Sequence, residues 1–173
     1  MVKVKGQLSA MAICITDEQI RIKDLAIMFF EELATKDNAI YNNLPECARS
    51  DGQRWHTTHL PVNSIISHLS LGDQAVSEEA FVVITEQIFK LIDKEKQAEQ
   101  IVEKLCQRFK LAADDERQWR DIAFCLSMLP YKSDRSITKL VEALPTFEHA
   151  LREPVVFSRF QEILTKVGPL MHR

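Results

Sequence analysis

The segment from Ile101 to Pro130 constrains the fold of this chain more than any other part of the sequence. Its apolar residues recur at steps of three and four, the period of a helix face that is buried against a core. The first face carries Ile101, Val102, Leu105 and Phe109, and the second carries Trp119, Ile122, Ala123, Leu126 and Leu129. An acidic run, Asp114 to Glu116, lies between the two faces, where the start of a helix favours negative charge. The segment therefore predicts two amphipathic helices joined by a short turn.

The helical period continues through the rest of the chain, and no stretch alternates with period two for long enough to predict a strand. Ser77 and Ser133 can cap helices, and Pro154 suits a first helical turn. Gly6 is expected to break the chain before the first helix. The predicted faces of the second and last helices are Ile22, Leu25, Ala26, Phe29 and Leu33, and Val156, Phe160, Ile163, Leu164 and Val167. The predicted class is all-α.

The spacing of the helix pairs indicates a repeat with one interruption. First helices begin near Glu18, Glu78, Asp115 and Pro154, with gaps of about 60, 37 and 39 residues. The last two gaps approach the roughly 40–47 residues of HEAT and armadillo units. The segment Cys47 to Ser64 accounts for the excess in the first gap, because joining Glu46 to Ile65 shortens it to about 42 residues. We predict a single array over residues 1–173 with an inserted loop at 47–64, which is either a real loop or an artefact of the gene model.

The composition excludes several classes of protein. The chain has 22 Lys and Arg residues against 25 Asp and Glu, a net charge of −3, so any contact with nucleic acid requires a local patch or a larger parent protein. No apolar run reaches the roughly 18 residues of a membrane span, and the N-terminus does not have the pattern of a signal peptide. The four cysteines form no CxxC pair and are expected to be reduced thiols in the core.

The sequence contains no motif that predicts catalysis. Nucleophile elbows, Gly-rich phosphate loops and HExxH are absent, so we expect neither an enzyme nor a cofactor nor a small-molecule substrate. His56 and His59, with Cys47 and His68 within reach, form the only cluster that zinc would accept. A second tightly spaced ligand pair is missing, which favours solvated loop histidines over a metal site. Stoichiometric zinc in purified protein would support the alternative of a zinc enzyme or metal module.

Three blocks of sequence carry a family resemblance: MVKVKGQLSAMA at Met1 to Ala12, IYNNLPE at Ile40 to Glu46, and the segment Ile101 to Pro130. In this order they resemble the C-terminal HEAT-repeat region of the condensin complex subunit 1 family. The resemblance extends from Met1 to about Val167, apart from the segment 47–64. It implies a fragment of a HEAT/armadillo-type α-solenoid of paired antiparallel helices.

The resemblance also implies a function. Members of this family are non-catalytic regulatory subunits of condensin in mitotic chromosome condensation. Implied partners are the SMC ATPase subunits, the kleisin subunit, the second HEAT-repeat subunit, and chromatin through DNA and histones. The implied location is the nucleus and chromosomes, and the cytoplasm in part of the cell cycle. The alternative is a generic HEAT/armadillo adaptor of another complex, which the fold does not exclude. Co-purification with SMC and kleisin subunits would separate the two.

Two basic features are candidate sites. Lys3 and Lys5 precede Gly6 at an expected helix start, where positive charge is unfavourable, and this Lys-Gly turn is similar to the family's loop for an SMC ATPase head. The alternative is a solvated turn. The second feature is a set of four cations on the paired helices, which could contact phosphate: Lys104, Arg108, Arg117 and Arg120. Glu99, Glu103 and Glu116 are interleaved with these cations and favour ordinary surface ion pairs instead.

Overall fold

The computed structural model describes residues 4–35, 61–70, 75–112 and 114–168. The chain divides into two compact units, Met1–Ala75 and Val76–Arg173. Every regular element in the described ranges is a helix, which confirms the all-α class. None of the described helices is both long and apolar enough to cross a membrane.

The first unit contains α1 (Val4–Ile13), a 3₁₀ turn (Cys14–Thr16), α2 (Ile20–Thr35) and α3 (Pro61–Ser70). Helix α1 packs against α3, and the 3₁₀ turn packs against α2. Ala12 and Ile15 are fully buried. The Asp17 carboxylate accepts the backbone N–H of Gln19 at 2.8 Å, directly before α2 begins. This bond satisfies one of the donors that a helix start leaves without an intrahelical partner.

Two predicted helix boundaries in this unit are wrong. Helix α1 begins at Val4 and passes through Gly6, because the first turn of a helix tolerates glycine when later residues supply the packing. Helix α3 begins at Pro61, inside the segment predicted as an inserted loop. Proline suits a first helical position, because its ring already fixes φ and the N–H that it lacks would have had no acceptor within the helix. Pro61 therefore starts this helix rather than breaking it. Residues 47–60 of the predicted insertion lie outside the described residues.

The predicted core face of α2 is wrong at two of its five positions, Leu25 and Phe29. Ala26 and Phe30 are buried, whereas Leu25 is 65% exposed and Phe29 is 38% exposed. Apolar side chains surround most of this helix, since Ile20 and Met28 are exposed as well. A stripe of this width fits several rotations of the helix, and only packing against other elements selects one of them.

The second unit contains five α-helices in its described part: α4 (Glu78–Phe89), α5 (Glu95–Leu111), α6 (Glu116–Met128), α7 (Asp134–Ala143) and α8 (Pro154–Val167). Two 3₁₀ segments, Leu144–Thr146 and Glu148–Arg152, connect α7 to α8. The predicted caps Ser77 and Ser133 accept the backbone N–H groups of Ala80 and Ser136. The acidic turn supplies Asp115, whose carboxylate accepts the N–H of Gln118 at 3.0 Å. Pro154 occupies the first turn of α8, as predicted.

Helix α6 is the centre of this unit. It packs against α4, α5 and α8, while α5 packs against α7. Every residue from Asp121 to Ser127 is buried, as is Trp119. Phe109, Phe147 and Phe160 form one aromatic cluster, with the first two rings stacked at 4.5 Å between centroids. The faces predicted from the segment Ile101 to Pro130 are therefore confirmed as core.

The last helix departs from its predicted face at one position. Val156, Phe160, Ile163 and Val167 are buried, but Leu164 is 64% exposed. Phe160 and Val167 lie against other elements of the same unit, since α8 packs on α6 and on the preceding 3₁₀ segment. Leu164 follows Ile163 by one residue, which turns its side chain by about 100° away from that contact.

Candidate functional site

The N-terminal candidate site lies partly outside the described residues. Lys3 is not among them, while Lys5 and Gly6 belong to the first turn of α1. The Lys-Gly pair is therefore helical rather than a turn before the helix. Lys5 still lies at the positive end of the helix dipole, where a cation is unfavourable unless an anionic partner offsets it. Contact with an SMC ATPase head remains a prediction for these residues.

The four cations of the predicted phosphate patch do not form one open surface. Arg117 and Arg120 are both on α6 and both engage the start of α4. The Arg117 guanidinium donates to the carbonyl of Val76 at 3.1 Å, and the Arg120 guanidinium donates to the Glu78 carboxylate at 2.6 Å. These bonds join residues about 40 positions apart in the chain, so they fix how α6 lies against α4.

The opposite end of this network reaches α8. Arg120 lies 3.9 Å from the Glu153 carboxylate, which also accepts the N–H of Val156 at 2.7 Å and so caps α8. The hydrogen bond to Glu78 raises the pKa of Arg120 above its ordinary value, against the opposing effect of burial. Arg120 therefore connects the starts of two helices through two acids. A phosphate group at Arg120 would compete with both of them.

Asp121 is the buried anion of the site. It is 4% exposed, and its carboxylate accepts from Arg117 Nε at 2.8 Å. Arg108 on α5 is nearby, and burial lowers the pKa of its guanidinium while the Asp121 charge raises it. A buried carboxylate is costly unless cations and hydrogen bonds compensate it, and two arginines from two helices do so here. The side chain of Arg108 is therefore directed towards the protein interior.

Lys104 is the remaining cation of the predicted patch. Its ammonium group donates to the Gln107 side chain at 3.5 Å, one helical turn further along α5. Two of the three acids that were expected to neutralise the patch pair with another cation, because Lys139 on α7 contacts Glu99 at 3.3 Å and Glu103 at 2.7 Å. Ion pairing of Arg117 and Arg120 is thus confirmed, but with acids that sequence spacing did not identify: Glu78, Asp121 and Glu153.

The thiol and phenol groups near this network are directed into the core. Burial raises the pKa of Cys106 to about 12 and raises the pKa of Cys125 well above its ordinary value. Such thiols remain protonated and unreactive at neutral pH. The Tyr131 hydroxyl donates to the carbonyl of Leu126 at 3.0 Å, and burial raises its pKa as well. These groups are structural.

The described ranges contain no group of three or more His, Cys, Asp or Glu side chains that could hold a metal ion. Of the four residues in the possible zinc cluster, only His68 falls within them, exposed on α3. Cys47, His56 and His59 lie outside the described residues.

Comparison with known proteins identifies the family. A family model described as non-SMC mitotic condensation complex subunit 1 matches residues 1–127. Condensin complex subunit 1 of Mus musculus is 42% identical over 167 residues, which is 96% of this chain and 11% of that protein. The Xenopus laevis protein of the same name is 40% identical over the same share of this chain, and the Saccharomyces cerevisiae protein is 39% identical over 82% of it. No solved structure matches.

The chain spans about a tenth of the length of these curated relatives, 11% for the Mus musculus protein and 10% for the Saccharomyces cerevisiae protein. The matched region covers both compact units and includes the segments that carried the resemblance in the sequence. The family is one of helical repeats, in agreement with the paired helices of the structure. The chain belongs to the non-SMC mitotic condensation complex subunit 1 family.

Proposed function

We propose that this chain acts as a non-catalytic HEAT-repeat part of a condensin complex in mitotic chromosome condensation. Its proposed partners are the SMC ATPase subunits, the kleisin subunit, the second HEAT-repeat subunit, and chromatin through DNA and histones. The observation that carries the proposal is identity of 38–42% over 96% of the chain to four proteins that are all named as condensin subunits. The proposed location is the nucleus and chromosomes, with a cytoplasmic phase of the cell cycle.

The geometry supports a scaffold rather than an enzyme. In the second unit the titratable side chains with the closest contacts form ion pairs and caps that join helices, as Arg120 and Glu153 do. Asp121 is buried, and its carboxylate forms an ion pair with Arg117. Groups used in this way fix how neighbouring helices pack, and a repeat protein depends on that packing for its stability.

Co-purification tests the proposed assembly. The chain, carried in a full-length subunit with an affinity tag, should bring down SMC and kleisin subunits from mitotic extract. Recovery of a different assembly, with no SMC or kleisin subunit, would instead favour the generic adaptor.

The N-terminal site has its own test. Replacing Lys3 and Lys5 with Gln should weaken binding to the SMC head and reduce stimulation of its ATPase, because two cations are lost at the proposed contact. A matched control replaces Gln7 and Ala10, both exposed on α1, with Glu. The control changes net charge by the same amount and keeps both lysines. Equal ATPase stimulation by the Lys3 and Lys5 variant, the control and the unmodified subunit would assign these lysines to a solvated surface.

A further inference from the structure

The exposed side of α2 carries a row of four residues, which we call the α2 outer face: Arg21, Leu25, Met28 and Glu32. They follow one another at steps of four, three and four, so their side chains lie one above the other along the helix. All four are exposed, and the two apolar ones at the centre are 65% and 62% exposed. The buried residues of this helix, Ala26 and Phe30, lie on its other side.

Both charged residues of the α2 outer face occupy positions that the helix dipole disfavours. Arg21 lies in the first turn, at the positive end of the dipole, and Glu32 lies in the last turn, at the negative end. The first turn contains no acid and the last turn contains no base. Arg21 has no ion pair with any residue in the part of the chain that the structure describes. Glu32 interacts within its own chain, and its two carboxylate oxygens can accept from a further cation as well.

A second copy of the same face offsets both charges when the two helices run antiparallel. Arg21 then lies level with Glu32 of the second copy, and Leu25 lies level with its Met28. A two-fold axis repeats each of these contacts, as in an isologous interface. Parallel helices would instead place arginine beside arginine and glutamate beside glutamate, and such like charges repel one another. The order of charged and apolar residues along α2 therefore selects a second copy in the antiparallel orientation.

We propose that two copies of this chain associate through their α2 outer faces around a two-fold axis. Leu25 and Met28 of both copies form the apolar centre of the contact, and two ion pairs between Arg21 and Glu32 form its ends. A helix of 16 residues is about 24 Å long, so two of them bury less than the roughly 1,600 Å² of a standard interface. The association is therefore weak and reversible. It is independent of the proposed role in condensin.

Sedimentation equilibrium of the 173-residue chain measures this association. The unmodified chain should shift from monomer towards dimer between about 5 and 300 μM, the range of a weak interface. Arg21→Glu and Glu32→Arg should each weaken self-association by at least about 10-fold, because like charges then meet at both ends of the contact. An equimolar mixture of the two variants should restore the dimer, since each variant supplies the charges that the other requires.

Stability measurements separate this loss of association from misfolding. Arg21→Glu places an acid at the positive end of the helix dipole, so it should keep or raise the urea midpoint of the monomer while it weakens the dimer. Arg152→Glu is the matched control, because Arg152 is exposed in the second unit and the change in net charge is the same. An equal loss of association in this control would overturn the proposal, as would a chain that stays monomeric, assembly beyond the dimer, or no recovery in the mixture.

Two further results would show that another occupant covers the α2 outer face. Replacement of Leu25 and Met28 by Gln should weaken association without a change in the urea midpoint; a lower midpoint would overturn the proposal, because residues of the same chain would then cover the face. The chain spans about a tenth of its relatives, so a neighbouring repeat is the competing occupant in a longer subunit. With two tags on full-length subunits, the Arg21→Glu copy should recover the Glu32→Arg copy better than it recovers itself. Equal recovery in all combinations would overturn the proposal in favour of the neighbouring repeat.

Discussion

Replacement of Asp121 by Asn should destabilise the second unit more than any other single-charge change in its ion-pair network. The substitution keeps the size of the side chain, so it opens no cavity and isolates the effect of charge. Asp121 is 4% exposed and accepts from Arg117 at 2.8 Å, with the Arg108 guanidinium nearby. Its neutralisation leaves two arginines without their shared anion in a region of low dielectric.

The magnitude follows from the burial of the three groups. Removing one partner of a buried pair costs about 3–5 kcal/mol. The Arg117 side chain is 26% exposed and so recovers part of its solvation, and asparagine retains one acceptor oxygen. We therefore expect a loss of about 3 kcal/mol in the free energy of unfolding, at the lower end of that range. For a unit of this size the melting temperature should fall by roughly 12–24 °C.

Urea denaturation followed by far-UV circular dichroism measures this loss as a lower midpoint at constant slope. Glu116→Gln is the matched control, because Glu116 is exposed on the same helix and should contribute less than about 1 kcal/mol. A loss below about 1 kcal/mol for Asp121→Asn would refute the reasoning, since the two arginines would then be stable without this carboxylate.

Two further predictions concern a helix cap and the core. Asp115→Ala should cost about 1 kcal/mol at neutral pH, because it removes the cap of α6. Burial raises the pKa of Asp115, but hydrogen bonds from Gln118 and Arg117 and the Arg117 charge together lower it overall. The stability that depends on this cap should therefore be lost as the pH falls from the ordinary pKa of an aspartate through the lowered pKa of Asp115. Equal acid sensitivity of the variant and the unmodified chain would contradict this. Leu126→Ala should cost about 2–5 kcal/mol and Phe29→Ala clearly less, as Leu126 is fully buried and Phe29 is 38% exposed; urea midpoints in the reverse order would show that the face of α2 is assigned wrongly.

Local signals in the sequence determined the class, most helix starts and the core of the second unit. Caps are read from a few neighbouring residues, and Ser77, Asp115 and Ser133 perform the roles their positions predict. The stripe of α5 is narrow and apolar on one side, so a single rotation of this helix buries it. The three blocks of sequence that carry the family resemblance also indicated the family that the comparisons show.

Tertiary structure alone decided which face of α2 is buried and which partners the charged residues have. A helix that is apolar on most sides fits several rotations, so the burial of Phe30 rather than Phe29 depends on neighbouring elements. The contacts of Arg120 with Glu78 and of Lys132 with the carbonyl of Asp93 cross about 40 residues of sequence. Their geometry is set when helices pack in three dimensions, because periodicity fixes a side chain's direction around its own helix and leaves open which helix it will meet.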